Sequence, residues 1–269
     1  MEHKSELVKN TFIIALGKLS TQVLSFLLLS LYTSKLTPAE YGTYDFLVNL
    51  QLLIVPILTL YMEESMFRFL IDADTENKKK TIISQTFIYV GIMTVIFILV
   101  ASIVCGIIKY EYAVPFILYI VSCVFIGMSN ALARGLSKIK LYSVSNFILG
   151  FVTIILNILF ITVFNMGVYG LLYAIVIANF ITSIIVFIRL KFFKYVDIKR
   201  FNRKQMKDML KYSLPLVPSN LSWYIISLSD RLMLTGMAGT AVNGIYSVAN
   251  KFPYILNTVK PCIYFEIFV

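Results

Sequence analysis

Long, continuous runs of apolar residues alternate with short polar segments along most of the chain. Crossing the hydrocarbon core of a bilayer takes roughly 20 residues as an α-helix, whereas a barrel strand takes about 10 with strict alternation. The runs are long and continuous, so they favour helix. We therefore predict about eight transmembrane helices, over Phe12–Tyr32, Tyr44–Tyr61, Ile82–Ile108, Ala113–Ala133, Tyr142–Phe164, Val168–Ile188, Leu214–Leu234 and Ile245–Val269.

Composition supports an all-α integral membrane protein. Hydrophobic residues make up 59% of the 269 residues, and charged residues only 14%, against about 25% charged in average soluble domains. A soluble core of this size could not hide so much apolar surface, whereas helices facing lipid can be apolar all round.

The positions of the basic residues predict the orientation. With the N-terminus in the cytoplasm, 18 of the 24 lysines and arginines fall in cytoplasmic segments and only 2 in outer loops, as the positive-inside rule requires. We expect a multi-pass protein of the cell inner membrane, with membrane lipids as partners. The net charge of +10 is then the positive-inside bias, and nucleic acid is not expected as a partner.

The largest loop, Arg189–Lys211, separates six predicted helices from two. It contains an amphipathic stretch, Phe201–Leu210, which is either a helix lying on the anionic inner leaflet or part of a solvated linker.

A weak repeat relates the two sides of this loop. Shifting the sequence by 202 residues places Ala39–Tyr44 on Ala241–Tyr246, and both copies read A-x-x-G-x-Y. Parallel repeats of this kind are a transporter arrangement. We predict a six-helix N-terminal lobe over 1–190, a basic cytoplasmic linker over 191–211 and the first two helices of a second lobe over 212–269, and we expect that the chain is truncated.

Polar residues inside the predicted helices are the candidate substrate-binding groups, because ionisable residues in the hydrocarbon region are costly and by default functional. Lys18 and Lys251 are the strongest candidates. For the asparagines, hydrogen bonds between helices are the competing interpretation, and Asp230 with Arg231 could form an outer gate or an interface anchor. The full candidate set is Lys18, Gln22, Asn146, Asn157, Asn220, Arg231 and Lys251.

Other charged and reactive residues exclude several functions. Glu64 and Arg68 have the spacing of a helical ion pair. His3 is the only histidine, the three cysteines lie in apolar runs without metal-ligand spacing, and there is no P-loop. We therefore expect no metal, no cofactor and no enzymatic activity. A membrane glycosyltransferase or polymerase remains an alternative, although the outer loops are short for a catalytic domain.

Several ordered motifs together resemble a known family. They are Leu36–Tyr44, Ala133–Lys138, Tyr212–Ser219, Ser229–Arg231 and Gly244–Ser247. The chain resembles Wzx-type polysaccharide biosynthesis flippases, which carry O-antigen or capsule repeat units, of the multidrug/oligosaccharidyl-lipid/polysaccharide exporter superfamily.

The resemblance implies two six-helix lobes around a cavity that opens alternately to each side. It implies an undecaprenyl-pyrophosphate-linked oligosaccharide as substrate, moved from the inner to the outer leaflet, and a polysaccharide polymerase as partner. In related flippases cationic residues on the first helix and in the second lobe line the cavity, and Lys18 and Lys251 match that placement by position. The alternatives are a multidrug or small-solute antiporter of the same superfamily and a non-transporting fragment.

Overall fold

The computed structural model describes residues 28–29, 31–197 and 201–250. Every regular element in these residues is helical. A π-helical turn, Leu159–Val163, extends the helix Ile139–Ile158, and residues 240–250 form a helix that we call α9. The other helices are α1 (Pro38–Thr59), α2 (Met62–Ile71), α3 (Glu76–Ile108), α4 (Ala113–Gly135), α5 (Ile139–Ile158), α6 (Gly167–Arg189), α7 (Arg203–Ser213) and α8 (Leu216–Ala238).

Five of these helices are long and apolar enough to cross a membrane: α1, α3, α4, α5 with its π turn, and α6. They confirm the all-α membrane class. Apolar side chains on α3 are exposed all along its second half, including Leu99 and Ile107, as expected for a helix that faces lipid. Most of the predicted first helix and most of the predicted eighth lie outside the described residues, and residues 28–29 and 31–35 are helical.

Local sequence sets the ends of α1. Thr37 and Glu40 form a capping box, in which the Thr37 amide donates to Glu40 Oε2 (2.8 Å) and the Glu40 amide donates to Thr37 Oγ1 (3.2 Å). Pro38 follows at the first helical position, where its missing N–H costs nothing. Leu60 and Tyr61 adopt positive φ angles, which end α1. The helix thus begins six residues earlier and ends two residues earlier than predicted.

The chain divides into two compact units, each described by itself. The first comprises residues 1–47, 139–174 and 230–269. Its apolar core joins the chain before α1 to α1, the π turn and α6, through Leu28, Leu29, Tyr32, Tyr41, Ile161 and Leu171. The second comprises residues 48–138 and 175–229, with α2 packed against α4 and α7. The predicted domain boundaries at 190 and 211 stay predictions.

The predicted amphipathic stretch of the large loop is the short helix α7. Asn202 caps it, because its side chain accepts a hydrogen bond from the Gln205 amide (3.1 Å). Met206 and Met209 are buried, and Ser65 Oγ of α2 donates to the Met209 carbonyl (3.0 Å). A freely solvated linker does not fit this packing.

Candidate functional site

Three of the predicted site residues, Lys18, Gln22 and Lys251, lie outside the described residues, so their roles stay predictions. The three asparagines are all described. Each donates its side-chain amide to the carbonyl four residues earlier in its own helix, from Asn146 to Tyr142 (2.8 Å), from Asn157 to Thr153 (2.8 Å) and from Asn220 to Leu216 (2.9 Å). These three hydrogen bonds each lie within one helix.

Asn157 differs from the other two asparagines in its surroundings. Its side chain is fully buried, and its Oδ1 has no hydrogen-bond partner in the part of the chain that the structure describes. A buried amide oxygen without a donor is costly. The Asn157 side-chain oxygen is therefore an unused hydrogen-bond acceptor inside the first unit. Asn220 belongs to the second unit.

Arg231 forms a buried ion pair with an acid that we did not predict. Its Nε lies 2.7 Å from Asp45 Oδ2, and the two side chains are only 14% and 10% exposed. The pair joins α1 to α8 within the first unit. Asp45 is the only acidic residue in the predicted second helix, and an acid at that depth calls for a partner. That signal was available in the sequence.

Beside this ion pair, the backbones of α1 and α9 touch at two glycines. A Cβ added to Gly42 would overlap the carbonyl oxygen of Thr240, and one added to Gly244 would overlap the carbonyl oxygen of Pro38. Only glycine permits so close an approach of two helices. We call this set of four residues the paired-glycine contact.

The paired-glycine contact is reciprocal in sequence. Thr240 lies 202 residues after Pro38, and Gly244 lies 202 residues after Gly42. Each copy of the A-x-x-G-x-Y motif thus presents its glycine to the carbonyl at the matching position of the other. Such reciprocity is the signature of a two-fold interface. The weak sequence repeat therefore corresponds to a physical contact between its two copies.

Polar and aromatic side chains surround this contact. Asn243 Nδ2 donates to the Gly42 carbonyl (3.0 Å) at a buried position. Tyr32, Tyr41 and Tyr44 form a cluster with ring centroids 5.7–6.2 Å apart, a separation typical of favourable aromatic pairs. The ion pair, the glycines and the tyrosines together tie the start of α1 to α8 and α9.

A second charged cluster lies in the second unit. Glu64 of α2 pairs with Arg134 of α4 at 2.7 Å, and the Arg134 guanidinium lies 4.6 Å from the centroid of the Phe67 ring. Arg68 pairs instead with Asp72 at 2.8 Å. The predicted Glu64–Arg68 pair is therefore wrong, because Arg134 offers Glu64 a less exposed partner on another helix.

Glu63 is the buried acid of this cluster and lies outside the spanning helices. Its Oε2 is buried. Burial raises the pKa of Glu63 above its ordinary value of 4.5, and the Glu64 carboxylate acts in the same direction. Hydrogen bonds from its own backbone and from the Thr59 side chain oppose the rise, as does the Arg134 guanidinium. Sequence spacing alone gave no sign of this burial.

Comparison with known proteins identifies the family. A family model described as polysaccharide biosynthesis protein matches residues 7–260. The chain belongs to this family. The family recognised from the sequence motifs is thereby confirmed. No curated protein matches the chain significantly.

Solved structures place the family member in a transporter fold. An inward-facing multidrug resistance MATE family transporter of the MOP superfamily is 20% identical, with a TM-score of 0.65 over 85% of this chain and 57% of its own. An outward-facing MATE transporter is also 20% identical, with a TM-score of 0.67 over 94% and 65%. A MATE in complex with MaD3S is 19% identical, with a TM-score of 0.66 over 94% and 65%.

These similarities establish the fold of the polysaccharide biosynthesis family member as MATE-like. The chain spans less than two-thirds of the length of each of these transporters. Sequence identities near 20% show that the fold is shared, but they do not transfer the role of any residue.

The paired-glycine contact predicts a steric effect of alanine. Gly42→Ala should destabilise the protein by about 1–3 kcal/mol, because backbone atoms must move to admit the new methyl group. Gly91→Ala is the matched control, since Gly91 also lies inside a helix and a Cβ there meets no atom within 4 Å. The control should be neutral or slightly stabilising. Thermal unfolding in detergent measures the stability of both variants. A Gly42→Ala variant as stable as wild type would show that the paired-glycine contact does not require glycine at position 42.

The burial of Glu63 predicts a pH dependence. Because its pKa is raised in the folded state, its contribution to stability is complete below about pH 4.5 and is lost as the pH rises through the raised pKa. Glu63→Gln keeps the side chain neutral, so at about pH 8 its unfolding temperature should exceed that of wild type by about 2–4 °C, and the gap should close near pH 4.

Glu64→Gln is the control for this measurement. It removes the partner of Arg134, so it should lower rather than raise the unfolding temperature at about pH 8. Equal unfolding temperatures for Glu63→Gln and wild type across the whole pH range would contradict the predicted cost of ionising Glu63.

Proposed function

We propose that this protein is a flippase that moves an undecaprenyl-pyrophosphate-linked oligosaccharide from the inner to the outer leaflet of the cytoplasmic membrane. The product would serve surface polysaccharide such as O-antigen or capsule, with a polysaccharide polymerase acting after it. The N-terminus and the α7 segment lie in the cytoplasm in this proposal, so the start of α1 lies at the outer face. The family membership and the distribution of basic residues support this assignment.

The chemistry of the substrate explains why such a protein is needed. A pyrophosphate cannot cross the apolar core unaided, because removing its charges from water costs many kcal/mol. Cationic and amide side chains can replace that hydration with charge-assisted hydrogen bonds. Lys18 and Lys251 take this role in the proposal, with Gln22, Asn146, Asn157 and Asn220 as polar contacts. The isoprenoid tail stays in the lipid throughout.

The buried Asp45–Arg231 pair is the observation that carries the mechanism. It joins α1 to α8 beside the paired-glycine contact, where the two copies of the repeat meet. In an alternating-access cycle this end must close and open. We assign the pair as the latch of the outer gate. Opening leaves Arg231 without its carboxylate partner, and an anionic headgroup can replace that partner.

A latch of this kind links gating to the charge of the substrate. Separating a buried pair costs about 3–5 kcal/mol when one charge is left without a partner. An anionic substrate can lower this cost at Arg231 and a cationic drug can lower it at Asp45, so the pair alone does not choose between them. The choice of an anionic substrate over a multidrug antiporter, the second function that the MATE-like fold supports, rests on the family membership and on the basic candidates Lys18 and Lys251.

Export of surface polysaccharide tests the proposal. Arg231→Gln and Lys18→Ala should each reduce export about tenfold or more at equal protein level, because each removes a charge that the cycle uses. Lipid-linked intermediate should accumulate in both strains. The readouts are the amount of surface polysaccharide and the amount of lipid-linked oligosaccharide retained in the inner membrane.

Arg68→Gln is the matched control. Arg68 also pairs with an aspartate, but its side chain is 49% exposed and its partner 62% exposed, so its loss should cost little. Export should stay at the wild-type level in this variant. If Arg231→Gln and Lys18→Ala export as well as Arg68→Gln, the proposed roles of both residues are wrong.

A further inference from the structure

One face of α7 is fixed to the rest of the second unit. Met209 is fully buried, its carbonyl accepts the hydrogen bond from Ser65, and its sulfur accepts one from Gln85 Nε2 at 3.0 Å. Ser213 is buried as well. These contacts determine which side of α7 faces inward, and hence which side chains its outer face presents.

The outer face of α7 borders a groove of about 710 Å³. Arg203, Lys207 and Lys211 line it at intervals of four residues, so they follow one another along a single side of the helix. At a rise of about 1.5 Å per residue they span roughly 12 Å. The groove is therefore flanked along its length by three positive charges.

The rest of the lining is apolar, from Phe201, Leu210 and Leu214 together with Met206. Phe201 is 54% exposed and Leu214 is 48% exposed, which is unfavourable for large apolar side chains in water. No acidic residue lines the groove. Within residues 28–29, 31–197 and 201–250, none of the three cations takes part in a salt bridge.

Cations beside an exposed apolar strip match an amphiphile with an anionic head. A nucleic acid or an acidic peptide would satisfy the charges and leave Phe201 and Leu214 uncovered. An uncharged lipid would cover the apolar strip and leave the three cations without counter-charge. An anionic phospholipid does both, and basic pockets on the cytoplasmic side of membrane proteins recognise such headgroups.

We propose that the α7 groove binds one anionic phospholipid of the inner leaflet. Its phosphate lies against Arg203, Lys207 and Lys211, and an acyl chain covers Phe201, Leu210 and Leu214. The bound lipid would fix the segment that enters α8 at the level of the inner leaflet. This inference rests on the cytoplasmic placement of α7 and is independent of the substrate that is transported.

Lipid retention by the purified full chain tests the proposal. Native mass spectrometry with added phosphatidylglycerol or phosphatidylcholine should give one tightly bound phosphatidylglycerol, held about tenfold or more tighter than phosphatidylcholine. The triple variant R203Q/K207Q/K211Q should lose this preference. Phe201→Ser, which changes no charge, should weaken binding of both lipids about threefold.

The variant K78Q/K79Q/K80Q is the matched control, because it removes the same number of positive charges from another predicted cytoplasmic segment. It should keep the wild-type preference for phosphatidylglycerol. The proposal is overturned if wild type binds the two lipids equally, or if the control triple loses the preference as fully as the α7 triple. Either result can be obtained whether or not the protein exports polysaccharide.

Discussion

A buried charge pair, Asp45 with Arg231, constrains the arrangement of the first unit. Neither residue could lie at this depth alone, because an unpaired charge in an apolar environment costs far more than a folded protein can offset. Together they fix where α8 lies against α1. The Nε–Oδ2 distance is 2.7 Å and both side chains are little exposed, so breaking the contact leaves two poorly hydrated charges apart. In the proposed gate, this pair breaks when the outer end opens.

The paired-glycine contact complements the ion pair. Glycine at positions 42 and 244 lets the backbones of α1 and α9 approach until each carbonyl meets the other helix. Association of membrane helices relies on such close packing, since lipid offers no hydrophobic driving force between them. The Asn243 side chain satisfies the Gly42 carbonyl. The ion pair, the close packing and this hydrogen bond thus lie together where the two copies of the A-x-x-G-x-Y motif contact each other.

Much of the fold could be predicted from the sequence, because hydrophobic run length is a direct consequence of bilayer thickness. The five spanning helices follow the predicted runs, although α1 and α3 each begin six residues earlier than predicted. The helix α2 was not anticipated, since the positive φ angles at Leu60 and Tyr61 leave no clear mark in an apolar run. The A-x-x-G-x-Y repeat was visible, but no one-dimensional pattern reveals that its two copies touch.

The site was less predictable than the fold, because partners distant in sequence decide it. The spacing in the sequence suggested an ion pair between Glu64 and Arg68. In the structure Glu64 pairs with Arg134, and Arg68 pairs with Asp72. Arg231 was singled out as a candidate, yet its partner Asp45 lies 186 positions away. Lys18, Gln22 and Lys251 stay predictions that rest on the cost of charge and polarity in lipid.

The proposed outer gate is tested most directly by the distance between the two repeat copies, measured while the protein transports its substrate. Thr43 and Ile245 occupy matching repeat positions beside the paired-glycine contact, so spin labels there, with the native cysteines replaced by serine, report on this end by double electron–electron resonance. We expect a short distance without substrate and a second, longer distance that grows in population when lipid-linked oligosaccharide is added to the reconstituted protein. A single unchanging distance while transport proceeds would contradict the gate.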